Sequence, residues 1–413
     1  MMPREATVKS IAKSLLMVVL GAGMTAGAFV MLPDQPSEAA AAQDQAPPPL
    51  PGAFPMNPNL RHNTWTPVNG KGGQEISGPY EVDTKWPAQR VADGWTINAE
   101  GIFLQSPDRI ISVGRGTRKW AWPNYWGPGV FRALGPELKP EEQKRGSTIV
   151  VYDRNGKVIE DWTSQWRSIL PDVQQVQANP YDPQKHLWIA TGQGVVQLTA
   201  DGKQHVNTID AADVPQQDPK NPYFVVEHFA WASNGDLYTA GGYQVHRFSK
   251  DGKHLAAIGK PGNGPGEFGV YGAGRAGAGI HGIVIDSNRN RMYVADRVNS
   301  RVQVFDLNGK FLDVWPNITG PYALKLTRDG RYLWLGDGYA MKFQKYDAMS
   351  GRLIPGSTWG TMGVAPGSFW GIHWFTTDAA GNLFVGEDLA FRIQKFTPRK
   401  DGNPEQLIGQ LME

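Results

Sequence analysis

The chain of 413 residues contains no cysteine. This absence excludes a disulfide framework and a lipoprotein attachment site, so a folded domain must be stabilised by its core alone. An excess of charge of one sign is also missing, because 41 Lys and Arg residues face 39 Asp and Glu residues and leave a net charge of +2. Such a balance gives no basic surface for polyanions, and we expect no nucleic-acid partner. Helical periodicity of useful length is absent beyond the N-terminal segment.

The N-terminus has the features of an export signal. Arg4, Lys9 and Lys13 precede an uncharged and mostly apolar stretch over 14–32, and small residues suited to cleavage follow near Ala40–Ala42. This pattern predicts a cleaved signal peptide and a periplasmic or secreted protein. The alternative is an uncleaved anchor, because the 19 residues of the apolar stretch approach the ~20 that a membrane span needs. Only in that case would the protein contact a membrane, through this segment.

The rest of the chain repeats a unit that is rich in turns. Glycine and proline are abundant, with 49 and 31 residues, which indicates many short strands. Polar turns that end in glycine recur at intervals of 42 to 57 residues, at Gly156, Gly202, Gly252, Gly309, Gly351 and Gly402. Asn-Gly and Asp-Gly turns are typical of β-hairpins, because glycine accepts the positive φ that such turns need.

Short strand-like runs surround these turns, two before each turn and one after it. Three to four short strands per ~50 residues, repeated six times, predict an all-β protein, a six-bladed β-propeller. The run "GIVID" (282–286) is apolar on both faces, as expected for an inner strand that packs between neighbouring blades. The predicted segments are a signal peptide over 1–42, a Pro-rich tether and N-terminal extension over 43–90, and the propeller over 91–413.

Several of these runs together resemble the NHL repeat, a unit that forms propellers. The resemblance is carried by "GNGPGEF" (262–268), "GIVID", "MYVADRVNSRVQVF" (292–305) and "DLNGKF" (306–311). NHL propellers are mostly scaffolds that bind partners. The repeat therefore implies a fold and not an activity.

One position of the repeat carries polar residues in every blade. Alignment of the blades places at the head of the inner strand, in chain order, Glu100, Gln174, His228, His281, Tyr322 and His373. In a propeller these positions ring one end of the central channel. Neutral imidazoles that converge there form a site for zinc or another divalent metal, so His228, His281 and His373 are the candidate ligands. The alternative is that a wet channel mouth tolerates polar residues.

A second set of candidates follows the second strand of three blades. Arg115 in "SVGRG" aligns with Arg297 in "VADRVNSR", and Tyr243 in "TAGGYQ" lies at a similar level. A guanidinium suits a substrate carboxylate, and a phenol beside a metal and an arginine acts as a base if its pKa is lowered. The structural alternative is that Asp296, Arg297 and Arg301 tie blades together.

An aromatic insertion over residues 117–147 interrupts the first blade. It contains Trp120, Trp122 and Trp126. Beside a channel mouth, such residues suit a lid or the wall of a substrate site. A hydrophobic cover packed on the side of the propeller is the alternative.

These residues resemble the pattern of the peptidyl-α-hydroxyglycine α-amidating lyases, which are six-bladed NHL propellers. That resemblance implies zinc held by histidines at the inner-strand heads of blades 2, 4 and 6, with a functional Arg in blade 1, Tyr in blade 3 and Arg in blade 4. The matching residues are His281, His373, Arg115, Tyr243 and Arg297. Gln174 replaces the ligand of blade 2, and His228 of blade 3 is a candidate substitute. Trp374 stands where the family has an Asp associated with calcium, which argues against a calcium site.

The sequence therefore predicts a metal-dependent lyase that acts on a small, hydroxylated, carboxylate-bearing substrate derived from a peptide. Arg115 and Arg297 would hold the carboxylate, and Tyr243 would be the base. One alternative is a metal-dependent hydrolase of the lactonase type, which would use carboxylates on the metal. The other is a non-catalytic propeller that binds a ligand or a protein. We expect a monomer.

Overall fold

The structure of the protein is a computed structural model. It describes residues 77–87, 99–114, 148–170, 172–215, 224–269, 279–363, 365–390 and 392–412. The predicted signal segment, the Pro-rich tether and the aromatic insertion lie outside these residues. Within the described ranges, no helix has the length and apolar character needed to cross a membrane.

The described chain forms antiparallel sheets that follow one another along the sequence as the blades of a six-bladed propeller. The first strand, β1 (Tyr80–Val82), belongs to the last blade. Blade 1 contains β2 (Ala99–Ser106), β3 (Arg109–Gly114), β4 (Thr148–Tyr152) and β5 (Val158–Asp161). After the short helix α1 (Thr163–Trp166), blade 2 contains β6 (Val173–Ala178), β7 (Leu187–Thr191), β8 (Gly194–Leu198) and β9 (His205–Asp210).

The next three blades follow the same order from the inner to the outer strand. Blade 3 contains β10 (His228–Trp231), β11 (Leu237–Gly241), β12 (Gln244–Phe248) and β13 (His254–Ile258). A short parallel pair, β14 (Lys260–Pro261) and β15 (Glu267–Phe268), precedes blade 4. Blade 4 contains β16 (Ile280–Asp286), β17 (Arg291–Asp296), β18 (Arg301–Phe305) and β19 (Phe311–Trp315). Blade 5 contains β20 (Pro321–Leu326), β21 (Tyr332–Asp337) and β22 (Lys342–Asp347).

Blade 6 joins the two ends of the described chain. It contains β23 (Ile372–Thr377), β24 (Leu383–Glu387) and β25 (Arg392–Pro398), and β1 pairs antiparallel with β25 as its outer strand. This strand closes the ring. It lies before residue 91, where the sequence placed the start of the propeller, so the propeller includes part of the segment assigned to the N-terminal extension.

The apolar core lies between the blades. Among the described residues, apolar clusters join blade 1 to blade 2, blade 2 to blade 3, blade 3 to blade 4 and blade 4 to blade 5, and another joins blades 5, 6 and 1. The inner strands β16, β20 and β23 are buried along their whole length. This confirms the two-sided burial that the apolar run "GIVID" indicates, and it leaves the heads of the inner strands as the place for polar chemistry.

The predicted glycine turns are confirmed in blades 1 to 4. Gly156, Gly202, Gly252 and Gly309 have φ between 72° and 88° and connect the third strand of each blade to its fourth. Gly402 is different, because its φ lies outside the left-handed region and a 3-10 turn, Pro404–Gln406, follows it. The fourth strand of blade 6 is supplied by β1 instead.

Candidate functional site

The residues at the heads of the inner strands are displaced from the regular strand pairing. In blades 1, 2, 4, 5 and 6 the pairing with the second strand is irregular at this position, and the residues it skips are Glu100, Gln174, His281, Tyr322 and His373. A bulge of this kind re-aims a side chain that would otherwise alternate across the sheet. In each of these five blades, the bulge thus gives one polar side chain a direction that differs from the regular alternation of side chains along a strand.

All six predicted ring residues are buried, with exposures between 0% and 5%. Polar side chains without solvent need partners or ligands, because an unpaired buried polar group costs about 1–3 kcal/mol. This burial argues against the alternative in which the residues are merely tolerated at a wet channel mouth.

The structure brings the three predicted histidines together. Nε2 of His281 lies 3.1 Å from Nε2 of His373, and their rings are 4.5 Å apart. The ring of His228 lies 4.7 Å from that of His281 and 5.7 Å from that of His373. Three imidazoles from blades 3, 4 and 6 therefore meet at one point of the channel.

In two of these rings, Nε2 has a lone pair that can bind a metal. Nδ1 of His281 lies 3.3 Å from the carbonyl oxygen of Tyr322, and Nδ1 of His373 lies 2.7 Å from the carbonyl oxygen of Glu100. A carbonyl oxygen only accepts, so each Nδ1 carries the hydrogen and the neutral ring keeps its lone pair on Nε2. Two lone pairs 3.1 Å apart repel one another unless a proton or a metal ion lies between them.

His228 is a buried imidazole whose two ring nitrogens both lack a hydrogen-bond partner in the described part of the chain. Burial lowers the pKa of His228 well below its usual value, and the charges of His373, Lys325 and Arg297 lower it further. The ring is therefore neutral near pH 7, which is the form that binds a metal.

Two carboxylates lie beside His373. Oε2 of Glu100 is 2.7 Å from its Nε2, and one oxygen of Asp388 completes a buried group in which the three donor atoms lie within 4.8 Å of one another. Asp388 was not among the site residues predicted from the sequence. It follows Glu387, which pairs with Ile372, as Arg297 follows Asp296, which pairs with Ile280. The alignment of repeats that singled out Arg297 would have found it.

Arg297 lies at the edge of this site. Its guanidinium carbon is 4.6 Å from the centre of the Tyr322 ring, which in turn is 4.2 Å from the His281 ring. Burial raises the pKa of Tyr322 well above its usual value, although the charge of Arg297 opposes the rise. Tyr322 is thus a neutral wall between Arg297 and the histidines. Asp296 pairs with Arg301 at 2.7 Å, and this ion pair ties the two residues together within the blade.

Tyr243 lies in the turn between β11 and β12. The carbonyl oxygen of Gly242 accepts the N–H of Ile280 at 2.8 Å, which holds this turn beside the residue that precedes His281. The half-buried Tyr243 ring packs against the apolar cluster between blades 3 and 4. The other predicted site residues, Arg115, Trp120, Trp122 and Trp126, lie outside the described residues.

Trp374 packs against the site from blade 6. Its indole N–H donates to the carbonyl oxygen of Ile102 at 2.9 Å, and its ring lies 4.9 Å from that of His228. Nζ of Lys325 lies 4.2 Å from the indole ring. Gln174, which stands where the lyase pattern has a histidine, is buried, and its Oε1 has no partner in the described chain.

Comparisons with known proteins agree with the propeller. Residues 239–349 match DUF5128, a family described as a 6-bladed beta-propeller. NHL repeat-containing protein 3 of Homo sapiens is 34% identical over 108 residues, 24% of this chain and 28% of that protein. Peptidyl-glycine alpha-amidating monooxygenase B of Xenopus laevis is 22% identical over 345 residues, 78% of this chain and 36% of that protein.

A solved structure of a streptogramin B lyase covers 78% of this chain and 98% of its own, with 13% identity and a TM-score of 0.47. The chain spans between 24% and 49% of the length of the curated relatives it matches. The described chain forms a six-bladed β-propeller, and the sequence has weak similarity to NHL repeat proteins and to the peptidylglycine alpha-amidating monooxygenases.

Proposed function

We propose that the protein is a metal-dependent lyase that cleaves a small peptidyl-α-hydroxyglycine or a similar hydroxylated, carboxylate-bearing substrate. The observation that carries this proposal is the buried pair of Nε2 atoms of His281 and His373, 3.1 Å apart, with each Nδ1 held by a backbone carbonyl. The homology to the alpha-amidating monooxygenases, although weak, covers 78% of the chain in one relative and favours this reaction over others.

The residues of the channel mouth fit a divalent transition metal such as zinc. His281 and His373 would hold it through Nε2, and His228 adds a neutral imidazole whose nitrogens lack partners in the described chain. A metal bound there would supply a Lewis acid for the substrate hydroxyl. We do not include calcium in the proposal, because Trp374 gives that position an indole in place of a carboxylate.

The remaining residues would bind the substrate and move its proton. Arg297, buried beside Tyr322, has the fork of N–H donors that pairs with a carboxylate, and Arg115 would add a second guanidinium. Tyr243, in its phenolate form, would accept the hydroxyl proton. The electrons of the O–H bond then form the carbonyl of glyoxylate, the C–N bond breaks, and a proton reaches the departing nitrogen to give the peptide amide. Trp120, Trp122 and Trp126 would close the substrate side. We further propose that the protein acts as a monomer, in the periplasm or outside the cell.

The first test is metal content and lyase activity in the same preparation. The mature protein, purified without a His-tag or added metal, is compared with a His281→Ala/His373→Ala variant and with a His205→Ala control, whose imidazole is exposed on β9. We expect about one transition-metal ion per chain and release of glyoxylate from an N-acyl-α-hydroxyglycine in the wild type and the control. The double variant should lose both. A wild type that takes up no metal even when zinc is offered would overturn the proposal.

A metal-dependent hydrolase of the lactonase type is the second candidate. The sequence placed only Glu100 among the ring residues, whereas the structure adds Asp388 to the same buried group, and two carboxylates favour a hydrolase more than one does. Lactone hydrolysis that depends on the metal, with no cleavage of the α-hydroxyglycine substrate, would establish this alternative. A protein without metal and without either activity would be the non-catalytic binding propeller.

A further inference from the structure

We infer that Glu100 and Asp388 are metal ligands, so that the site is a mixed set of imidazoles and carboxylates and not a set of three imidazoles. This inference rests on the proposed metal-dependent function, and it changes which side chains hold the ion. Nothing in the sequence pattern required it, because the resemblance points to histidines only.

The distances favour the mixed set. Donor atoms that share a zinc ion at about 2.0–2.2 Å lie roughly 3–3.5 Å from one another. Nε2 of His373 is 3.1 Å from Nε2 of His281, within this range, and 2.7 Å from Oε2 of Glu100, slightly below it. Among the described residues, the group of three donors that lie within 4.8 Å of one another is Glu100, His373 and Asp388, and the three histidines do not form such a group. The ring of His228 instead meets that of His281 edge to face at 4.7 Å.

Burial and charge favour the same set. The carboxylate of Glu100 is fully buried and Asp388 is 7% exposed. Two buried carboxylates beside an imidazole supply the negative charge and the oxygen donors that suit a divalent cation. His373 faces an acceptor oxygen at both ring nitrogens, the carbonyl of Glu100 at Nδ1 and its carboxylate at Nε2. A metal ion bound by the lone pair on Nε2 of His373 would lie beside the carboxylate of Glu100, with Nε2 of His281 3.1 Å from Nε2 of His373.

In this site, a carboxylate from blade 1 would take the place of the histidine ligand that the lyase pattern has in blade 2. Gln174 of blade 2 occupies the position of the missing histidine, and the adjacent blade 1 supplies Glu100 at the equivalent bulge. His228 is the independent sign of a ligand, because it is 99% buried and both of its nitrogens lack a partner in the described chain. In the mixed set, His228 is available to a water molecule or substrate oxygen bound at the open position.

The test is titration of the metal-free protein with Co²⁺, read by its visible absorption and by equilibrium dialysis. Carboxylate ligands weaken and broaden the visible bands relative to nitrogen ligands, and their loss changes the affinity. We expect Glu100→Gln and Asp388→Asn each to weaken Co²⁺ binding by about tenfold or more and to alter the spectrum. Glu100→Asp, which keeps the charge, should bind more tightly than Glu100→Gln. The matched control is Asp337→Asn, which removes an equally buried carboxylate at the end of β21 and should bind as the wild type does.

The outcomes separate this inference from the proposed function. Wild-type binding by both Glu100→Gln and Asp388→Asn, with loss of binding in His228→Gln, would show a site of three imidazoles and overturn the inference while the metal-dependent function stands. Binding that requires the carboxylates, in a protein that does not cleave α-hydroxyglycine, would overturn only the proposed reaction. Circular dichroism of each variant shows whether a loss of binding comes from a loss of fold.

Discussion

At the scale of single residues, His246 shows how burial sets a response to pH. It lies on β12 with its ring 5.2 Å from that of Phe224, and its Nδ1 is 3.2 Å from Nε2 of His254. Burial, together with the smaller effect of the neighbouring His254, lowers the pKa of His246 from 6.5 to about 4. Between pH 6.5 and pH 4, the unfolded chain therefore binds a proton at His246 that the folded protein does not bind. The contribution of His246 to stability is complete above pH 6.5 and is lost as the pH falls to 4.

We predict that His246→Gln makes the free energy of unfolding less sensitive to acid. A tenfold change in an acid dissociation constant is worth about 1.4 kcal/mol, so the wild type should lose roughly 3 kcal/mol more than the variant between pH 7.5 and pH 4. Urea unfolding at both pH values measures the difference. His205→Gln, which changes an exposed imidazole, should keep the slope of the wild type. Equal slopes in the wild type and His246→Gln would contradict the prediction.

Single residues also mark what the sequence could and could not predict about the site. The ring residues could be predicted because the repeat fixes their spacing. Asp388 holds the same position of the repeat as Arg297 and could have been found by that alignment. Its contact with Glu100 and His373, which lie 288 and 15 residues earlier in the chain, could not be predicted, because no local pattern reports it. The contact of Arg297 with the Tyr322 ring depends on how blades 4 and 5 pack.

At the scale of structural elements, blades 4 and 6 repeat one buried network. In blade 4, Asp296 pairs with Arg301 and Gln303, and these side chains hold the loop before the inner strand through carbonyl oxygens that include that of Glu267. In blade 6, Glu387, Arg392 and Gln394 do the same, with the carbonyl of Ser368 as acceptor. The network therefore fixes the segments around Glu267 and Ser368, which precede the strands of His281 and His373 in the chain.

Removal of Arg301 should destabilise the protein strongly. Arg301→Ala leaves the carboxylate of Asp296, which is fully buried, without its cation, and the loss of one partner of a buried pair costs about 3–5 kcal/mol. Urea unfolding at pH 7 measures this cost. The double variant Asp296→Asn/Arg301→Ala should be less destabilised than the sum of the two single variants, since the buried charge is then gone.

The matched control for this network is an exposed pair. Arg154 and Asp108 lie 2.5 Å apart on the surface, with side-chain exposures of 60% and 56%, and water screens such a pair. Arg154→Ala should unfold as the wild type does. If Arg301→Ala also unfolded like the wild type, the network would not carry the stability assigned to it.

The elements also separate what the sequence predicts from what it leaves open. Blades and hairpin turns could be predicted because each depends on a few neighbouring residues, such as the glycines at positive φ. The bulges could not, since the sequence at Glu100 and at His373 has no common local feature and the shift in pairing appears only against the second strand. The outer strand of blade 6 could not be predicted from the local sequence either, because it comes from the other end of the described chain.

At the scale of the whole molecule, β1 holds the ring closed through Tyr80. This side chain is fully buried, its ring lies 5.5 Å from that of Trp359, and its hydroxyl oxygen accepts the N–H of Ile408 at 3.0 Å. Burial raises the pKa of Tyr80 far above its usual value, so the hydroxyl stays neutral. Tyr80 thus ties the N-terminal strand to the C-terminal segment, and the stability of the propeller should depend on it.

We predict that Tyr80→Ala lowers the free energy of unfolding by about 3–5 kcal/mol, the range for loss of a buried aromatic side chain. Tyr80→Phe keeps the packing and leaves the N–H of Ile408 without its acceptor, so it should cost about 1–3 kcal/mol. Thermal and urea unfolding of the two variants measure both effects. Tyr181→Ala, which removes a tyrosine that is 48% exposed, controls for the loss of an aromatic ring and should leave the transition unchanged. A Tyr80→Ala protein that unfolds with the wild type would mean that β1 is not needed to close the ring, whereas graded losses in the two variants would show that closure and the tyrosine hydrogen bond contribute separately.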